Sequence, residues 1–233
     1  MPRRENTREL ILKEALSLFS VSGFSAVSVR DIARAVHMKE SSLYNHFQSK
    51  QAIFDAILAE NSSRANMFFQ QVQLTDDSGE FLVDEAAVEM YRYMTDDEFC
   101  ALAERIFDFY FTDEISVKLR KMLTLEQYRS DSIAQLYRKL SFDDALMYQS
   151  LLFSSMIKAG LFIEADPYAM ALAFFSPVFL ISYKYDNTEE GVKEAKELFL
   201  RHIRHFNKTY AKHDTSSNLR VPAQEMMEKE EYL

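Results

Sequence analysis

Glycine and proline are scarce, with only 4 of each in 233 residues. So few turn residues leave little from which to build an all-β fold. Leucine, alanine, glutamate, lysine, methionine and glutamine are plentiful, and the sequence predicts an all-α class. Cysteine is nearly absent: Cys100 stands alone, which excludes an intramolecular disulfide. With no histidine near it in sequence, it reads as a small apolar side chain rather than a nucleophile. The opening Met-Pro-Arg-Arg has no apolar signal region, so the expected location is the cytoplasm. Membrane-spanning runs are missing as well. The stretch 168–183 is almost free of charge, but it is short, contains Pro177 and follows Asp166-Pro167, a good N-cap and first-turn pair for a helix. No membrane partner is expected.

Catalytic and metal-binding patterns are also lacking. There is no Gly-rich phosphate loop, no Glu-x-x-His pair and no His-Glu-x-x-His. His202 and His205 lie one turn apart, yet Arg201 and Arg204 beside them suggest a solvated basic face. Asp96-Asp97 and Asp143-Asp144 read as helix starts, where acidic residues are favoured. No catalytic residue, metal or cofactor is expected. An all-α enzyme with an unrecognised site is the alternative from another functional class.

The charge is uneven. Overall it is −9, but residues 1–50 carry eight Lys/Arg against five Asp/Glu, a net +3 on an otherwise acidic chain. A basic N-terminal module on an acidic remainder suits a nucleic-acid-binding head whose body does not lie on the duplex. Within that module, residues 28–50 predict two short helices and a tight turn. Ser28 is a good N-cap, Asp31 can complete a capping box, and Val27 with Ile32 can form a hydrophobic staple. Ile32, Ala33 and Val36 form the buried face of the first helix. The second is predicted over 40–47, with Leu43 and Phe47 inward, which leaves Glu40, Ser41, Ser42, Tyr44, Asn45 and His46 for solvent or a partner. Upstream, a helix over 7–20 buries Leu10, Ile11, Ala15, Leu16 and Phe19 and ends at Gly23. Arg3 and Arg4 suit either a basic arm or a solvated tail.

The pattern Phe19, Gly23-Phe24, Ser28, Asp31-Ile32-Ala33, Leu43-Tyr44, His46-Phe47 and Lys50 resembles the helix-turn-helix domain of the TetR/AcrR family of bacterial transcriptional regulators, over residues 8–58. The resemblance implies an N-terminal three-helix DNA-binding domain (1–50), joined by a long helix to a larger helical ligand-binding and dimerisation domain (51–212), with a flexible tail (213–233). By matching positions, Tyr44, His46 and Lys50 hold phosphate oxygens and Arg30 reaches a base edge, while Ser28 can offer its hydroxyl or N–H to a phosphate. Lys39, Glu40, Ser41, Ser42 and Asn45 complete the DNA-facing set, with Asn suited to adenine and Glu to cytosine. Three positions depart from the family pattern. His37 stands where the family usually has Gly in the turn, a position that calls for positive φ. Lys39 replaces a frequent Ser/Thr cap, and Ser41 a frequent Gly.

Ser49 starts the long helix, predicted over 50–74, roughly 35 Å at 1.5 Å per residue. Further helices are predicted over 81–94, 97–111, 113–125, 127–140, 143–162, 167–185 and 189–210. The small residues Ser154, Ser155, Ala159 and Gly160, followed by the apolar helix 167–185, point to a homodimer through 143–162 and 167–185, where the family forms a four-helix bundle. Aromatic and Met residues of the body either build a core or line the inducer cavity that the family carries. Tyr91, Phe107, Tyr110 and Phe111 are candidates, as are Tyr128, Phe153 and Met156, with Arg105 or Gln149 to orient a small-molecule effector. The expected function is a homodimeric regulator, usually a repressor, on palindromic double-stranded operator DNA and released or modulated by an effector. A ligand-free regulator under a protein partner is the alternative within the binding class.

Overall fold

The computed structural model describes residues 6–76, 78–185 and 188–212. Arg3, Arg4 and the tail from 213 lie outside them. The fold is all-α: an N-terminal helix-turn-helix continues through a long helix into further helices. Contacts divide the chain into two units, one of residues 1–79 with 107–144 and the other of 80–106 with 145–233.

The first unit opens with α1 (Thr7–Ser22), whose start is set by a capping box between Asn6 and Glu9. Gly23 ends it with φ 84°, a backbone conformation that glycine adopts without a Cβ penalty. Then come α2 (Val29–Ala35), α3 (Glu40–Leu43) and α4 (Lys50–Gln71). Ile11, Phe19, Ile32, Leu43 and Ile53 are fully buried, so one apolar face from each of these helices supplies a common core. Sequence periodicity anticipates these faces. It also predicts α3 running to Phe47, but the α-helix closes at Leu43. Residues 45 and 46 then bond to the carbonyls of Ser42 and Leu43, an i to i−3 tightening common at helix ends. Phe47 is nevertheless buried.

The remainder of this unit is a π-helical turn (Asp108–Thr112), α7 (Glu114–Glu126), α8 (Asp131–Arg138) and a second π-helical turn (Lys139–Asp143). α7 packs along α1, placing Leu119, Met122 and Leu123 in the helix-turn-helix core. Polar ties follow the same path. Lys118 donates to Ser17 Oγ at 2.8 Å. Arg64 on α4 forks onto Asp113, the N-cap of α7, at 2.6 and 3.2 Å. Glu126 at the far end of α7 is fully buried and accepts from Ser25 N at 3.1 Å and Ser25 Oγ at 2.6 Å.

Burial by itself raises both carboxyls. For Asp113 the Arg64 bonds and the Ser116 N–H outweigh it, and for Glu126 the Ser25 bonds and Arg129 do, so each lies below its ordinary value of 3.8 or 4.5. A carboxyl depressed in the folded state stabilises fully above its unfolded pKa, and that contribution fades as pH falls through the folded value. The contribution of these two carboxyls to the urea midpoint is therefore expected to be constant from pH 7 to about 5, where both are ionised in either state, and to fall below that. Asp113→Asn should remove part of the acid slope, and an unchanged slope would deny Asp113 this role.

The second unit holds α5 (Glu85–Tyr93), most of α6 (Asp96–Phe107), α9 (Asp144–Lys158), α10 (Pro167–Lys184) and α11 (Glu189–Tyr210). Asp166 caps α10 and Pro177 lies within it. The core is aromatic: Phe153 and Phe206 stack at 5.3 Å, with Phe162 and Phe174 against both. No described helix is long and apolar enough to cross a membrane.

Candidate nucleic-acid interface

The turn between α2 and α3 is built on backbone. Met38 N reaches Ala33 O at 2.8 Å and His37 N reaches Arg34 O at 3.1 Å, while His37 adopts φ 53°. This is the left-handed residue that the sequence placed here in a non-glycine side chain, and histidine is among the types that tolerate it. Lys39 takes the N-cap position of α3 with no side-chain bond to the helix. With Leu43 and Phe47 buried, Lys39, Glu40, Ser41, Tyr44, Asn45 and His46 are exposed and Ser42 is half-buried. None of these side chains forms a hydrogen bond or ion pair among the described residues. The arrangement brings one contiguous, unengaged polar face to the surface.

Arg30 is likewise exposed and unpaired, whereas Arg34 pairs with Asp31 at 3.2 Å. The other two sequence candidates are engaged. Ser28 N and Oγ both donate to Asp31 Oδ2, at 3.0 and 2.6 Å, and Ser28 Oγ accepts from Asp31 N. The Ser28 hydroxyl and then its N–H hold the Asp31 carboxyl below its ordinary value. Lys50 points away from solvent. Its Nζ donates to Phe24 O and Val27 O, both at 2.7 Å, and more weakly to Ser25 O at 3.4 Å. It also lies 4.4 Å from the centre of the Phe24 ring. Burial lowers its pKa, partly offset by the charge of Glu126. In this structure Lys50, expected at a phosphate, closes the loop between α1 and α2. Arg8, absent from the sequence-derived set, is exposed with its guanidinium 4.9 Å from the Phe47 ring centre. A cation at the second position of a helix and an aromatic 39 residues later carry no sequence signal of that contact.

The effector candidates fall in two groups. In the first unit Phe107 and Phe111 stack at 4.4 Å as core, Tyr110 is partly exposed, and Tyr128 is 87% exposed, so it lines nothing. In the second, Phe153 and Met156 belong to the aromatic core and Arg105 is exposed. Burial pushes the Tyr91 phenol up to about 12 and the Tyr148 phenol higher still. The Tyr148 hydroxyl interacts with that of Tyr91, whereas the neighbouring Gln149 Oε1 is buried without a hydrogen-bond partner among the described residues. An open groove of about 640 Å³ on α11, lined by Tyr185, Glu194, Glu197, Leu198, Arg201 and Arg204 among others, contains none of the candidates. No cluster of His, Cys, Asp or Glu among the described residues is placed to hold a metal.

Residues 11–57 match the family described as bacterial regulatory proteins, tetR family. The negative transcriptional regulator IcaR of the biofilm operon icaADBC, from Staphylococcus aureus (strain Newman), is 40% identical over 48 residues, 21% of this chain and 26% of that relative. The match therefore spans about a quarter of the relative's length. Among solved structures, SmeT, the repressor of the Stenotrophomonas maltophilia multidrug efflux pump SmeDEF, superposes with a TM-score of 0.57 at 20% identity, covering 94% of this chain and 95% of that one. AibR in complex with isovaleryl coenzyme A and operator DNA gives 0.58 at 18% identity, covering 84% and 96%.

Proposed function

We propose that this chain, whose residues 11–57 carry a tetR-type DNA-binding segment and whose helical fold is that of TetR-family regulators, is a homodimeric transcriptional repressor on palindromic operator DNA, modulated by a small molecule. The observation that carries the reading is the unengaged polar face from Lys39 to His46, displayed by a helix whose other side is locked into a core. A face left without internal partners, beside the unpaired Arg30, is suited to phosphates and base edges. A cytoplasmic location follows from that role.

The homodimer is proposed through α9 and α10. Met147 and Leu151, one turn apart on α9, are 66% and 51% exposed, and Leu172, Leu180 and Tyr183 on α10 are 41%, 62% and 47% exposed. Apolar area of that kind favours burial against a second copy. Two recognition helices about 34–36 Å apart would then enter successive major grooves. The effector reading rests on Gln149, whose buried Oε1 has no hydrogen-bond partner among the described residues: such atoms are rare, and a ligand donor would satisfy it. Related folds bind such molecules, as the SmeT complex with triclosan illustrates.

Anisotropy titration against an inverted repeat taken from DNA flanking the coding region tests the function. Salt-dependent binding of a dimer is expected, with a log–log slope of about −0.9 per phosphate neutralised. Salt-independent affinity would refute it. Asn45→Ala should cost ~1–3 kcal/mol on the operator and little on scrambled duplex. Equal losses on both duplexes would make Asn45 a phosphate contact instead.

A further inference from the structure

The loop that delivers α2 to the DNA-facing side, residues 24–27, is held by two charges of opposite sign that arrive from distant parts of the chain. Lys50 takes its carbonyls, as described above. Glu126 takes its donors, the N–H and hydroxyl of Ser25. Glu126 is the one buried acidic side chain among the described residues, at 0% exposure, and it pairs with Arg129 at 3.1 Å. The fit is tight, because a Cβ added at Gly23 would come within 2.3 Å of Glu126 Oε1. A buried carboxylate is retained only where its lone pairs are satisfied, and here they are satisfied by Arg129 and by the N–H and hydroxyl of Ser25, in the loop that leads into the Ser28 cap of α2.

We infer that Glu126 is a positioning residue for DNA binding: seated at the end of α7, it touches none of the DNA-facing residues but fixes the α1–α2 loop, and so sets the orientation in which α2 and α3 meet the duplex. The inference rests on the operator-binding reading above and extends it to a residue outside the helix-turn-helix. Charge makes it testable by sign. Removing an acidic group packed against the basic head strengthens attraction to a polyanion, and releasing Arg129 from its pair adds to that effect. If Glu126 contributes only through its charge or to stability, the folded Glu126→Gln protein binds operator as tightly as the parent or more tightly. If it positions the loop, binding weakens despite the favourable charge change. Coupling between sites usually spans about 5- to 150-fold, and about tenfold is expected here.

The experiment compares full-length parent, Glu126→Gln, Ser25→Ala and the double variant by operator anisotropy at two salt concentrations. The temperature is one at which circular dichroism shows each variant fully folded. Expected are an approximately tenfold loss for Glu126→Gln, a smaller loss for Ser25→Ala, a double variant little worse than Glu126→Gln, and an unchanged salt slope, since no phosphate contact is removed. Equal or tighter binding by Glu126→Gln overturns the inference, as does strict additivity of the two losses. Ser25 is exposed, so its variant remains informative if Glu126→Gln does not fold. Failure of the parent itself to bind operator would instead overturn the functional reading.

Discussion

Lys50→Ala is expected to lower unfolding free energy by about 2–4 kcal/mol, the range for losing hydrogen bonds to a charged group while leaving part-buried carbonyls unsatisfied. The two bonds of 2.7 Å to Phe24 O and Val27 O carry most of this, and the one to Ser25 O at 3.4 Å little. Two further substitutions identify the cause. Lys50→Met keeps the aliphatic stem on Phe24 and loses only the donors, so it should recover a small part of the stability. Lys50→Arg retains the charge, but a planar fork does not converge on three carbonyls as a tetrahedral ammonium does, and it should rescue poorly. Urea denaturation of the three variants reads this directly. Operator binding by the folded Lys50→Ala protein gives the second arm. A lysine on a phosphate would reduce the salt slope by about one contact, whereas a loop-closing lysine leaves the slope intact. A stable variant with a reduced slope would return Lys50 to the DNA.

Paired substitution of Leu151→Glu and Leu180→Glu should have the largest effect on DNA binding, although neither residue approaches the helix-turn-helix in sequence. Both side chains are half or more exposed in the isolated chain, so the monomer tolerates glutamate at either site at little cost. In a two-fold interface each charge is buried twice, without a partner, at a cost of several kcal/mol. Sedimentation should show monomers with unchanged helical content. Each monomer would then engage one half-site without the effective concentration that the second head supplies, a loss of about 10²–10⁴-fold in apparent operator affinity. A protein that stays dimeric places the interface elsewhere, and the groove on α11 becomes the next face to test by substitution at Leu198.

Patterned segments were legible before any coordinates. The Ser28–Asp31 capping box, the start of α10 at Asp166-Pro167 and the inward positions Ile32, Ala33, Leu43 and Phe47 appear in the structure as expected, because each depends on residues within one or two turns of itself. His37 was legible for a related reason: a tight turn needs a left-handed residue at a fixed place, whichever side chain occupies it. The end of α3 was less so. Residues 44–46 keep the apolar spacing of a helix while their hydrogen bonds tighten, and spacing does not distinguish the two.

The amino-acid sequence by itself determined the helical class, the helix-turn-helix and the polar face that it turns outward. These are short-range matters of propensity, capping and period, together with a charge distribution that can be counted. Only the tertiary structure decided what individual charged groups do. Lys50 and Glu126 look alike in sequence to any solvated lysine or helix-end glutamate, yet one is drawn onto the carbonyls and the other onto the donors of the same four-residue loop. Tyr128 and Phe111 look equally apt for a cavity, yet one projects into solvent and the other stacks in a core. The Lys50 and Glu126 assignments depend on contacts across 23 to 101 residues of chain, where no local rule of spacing operates.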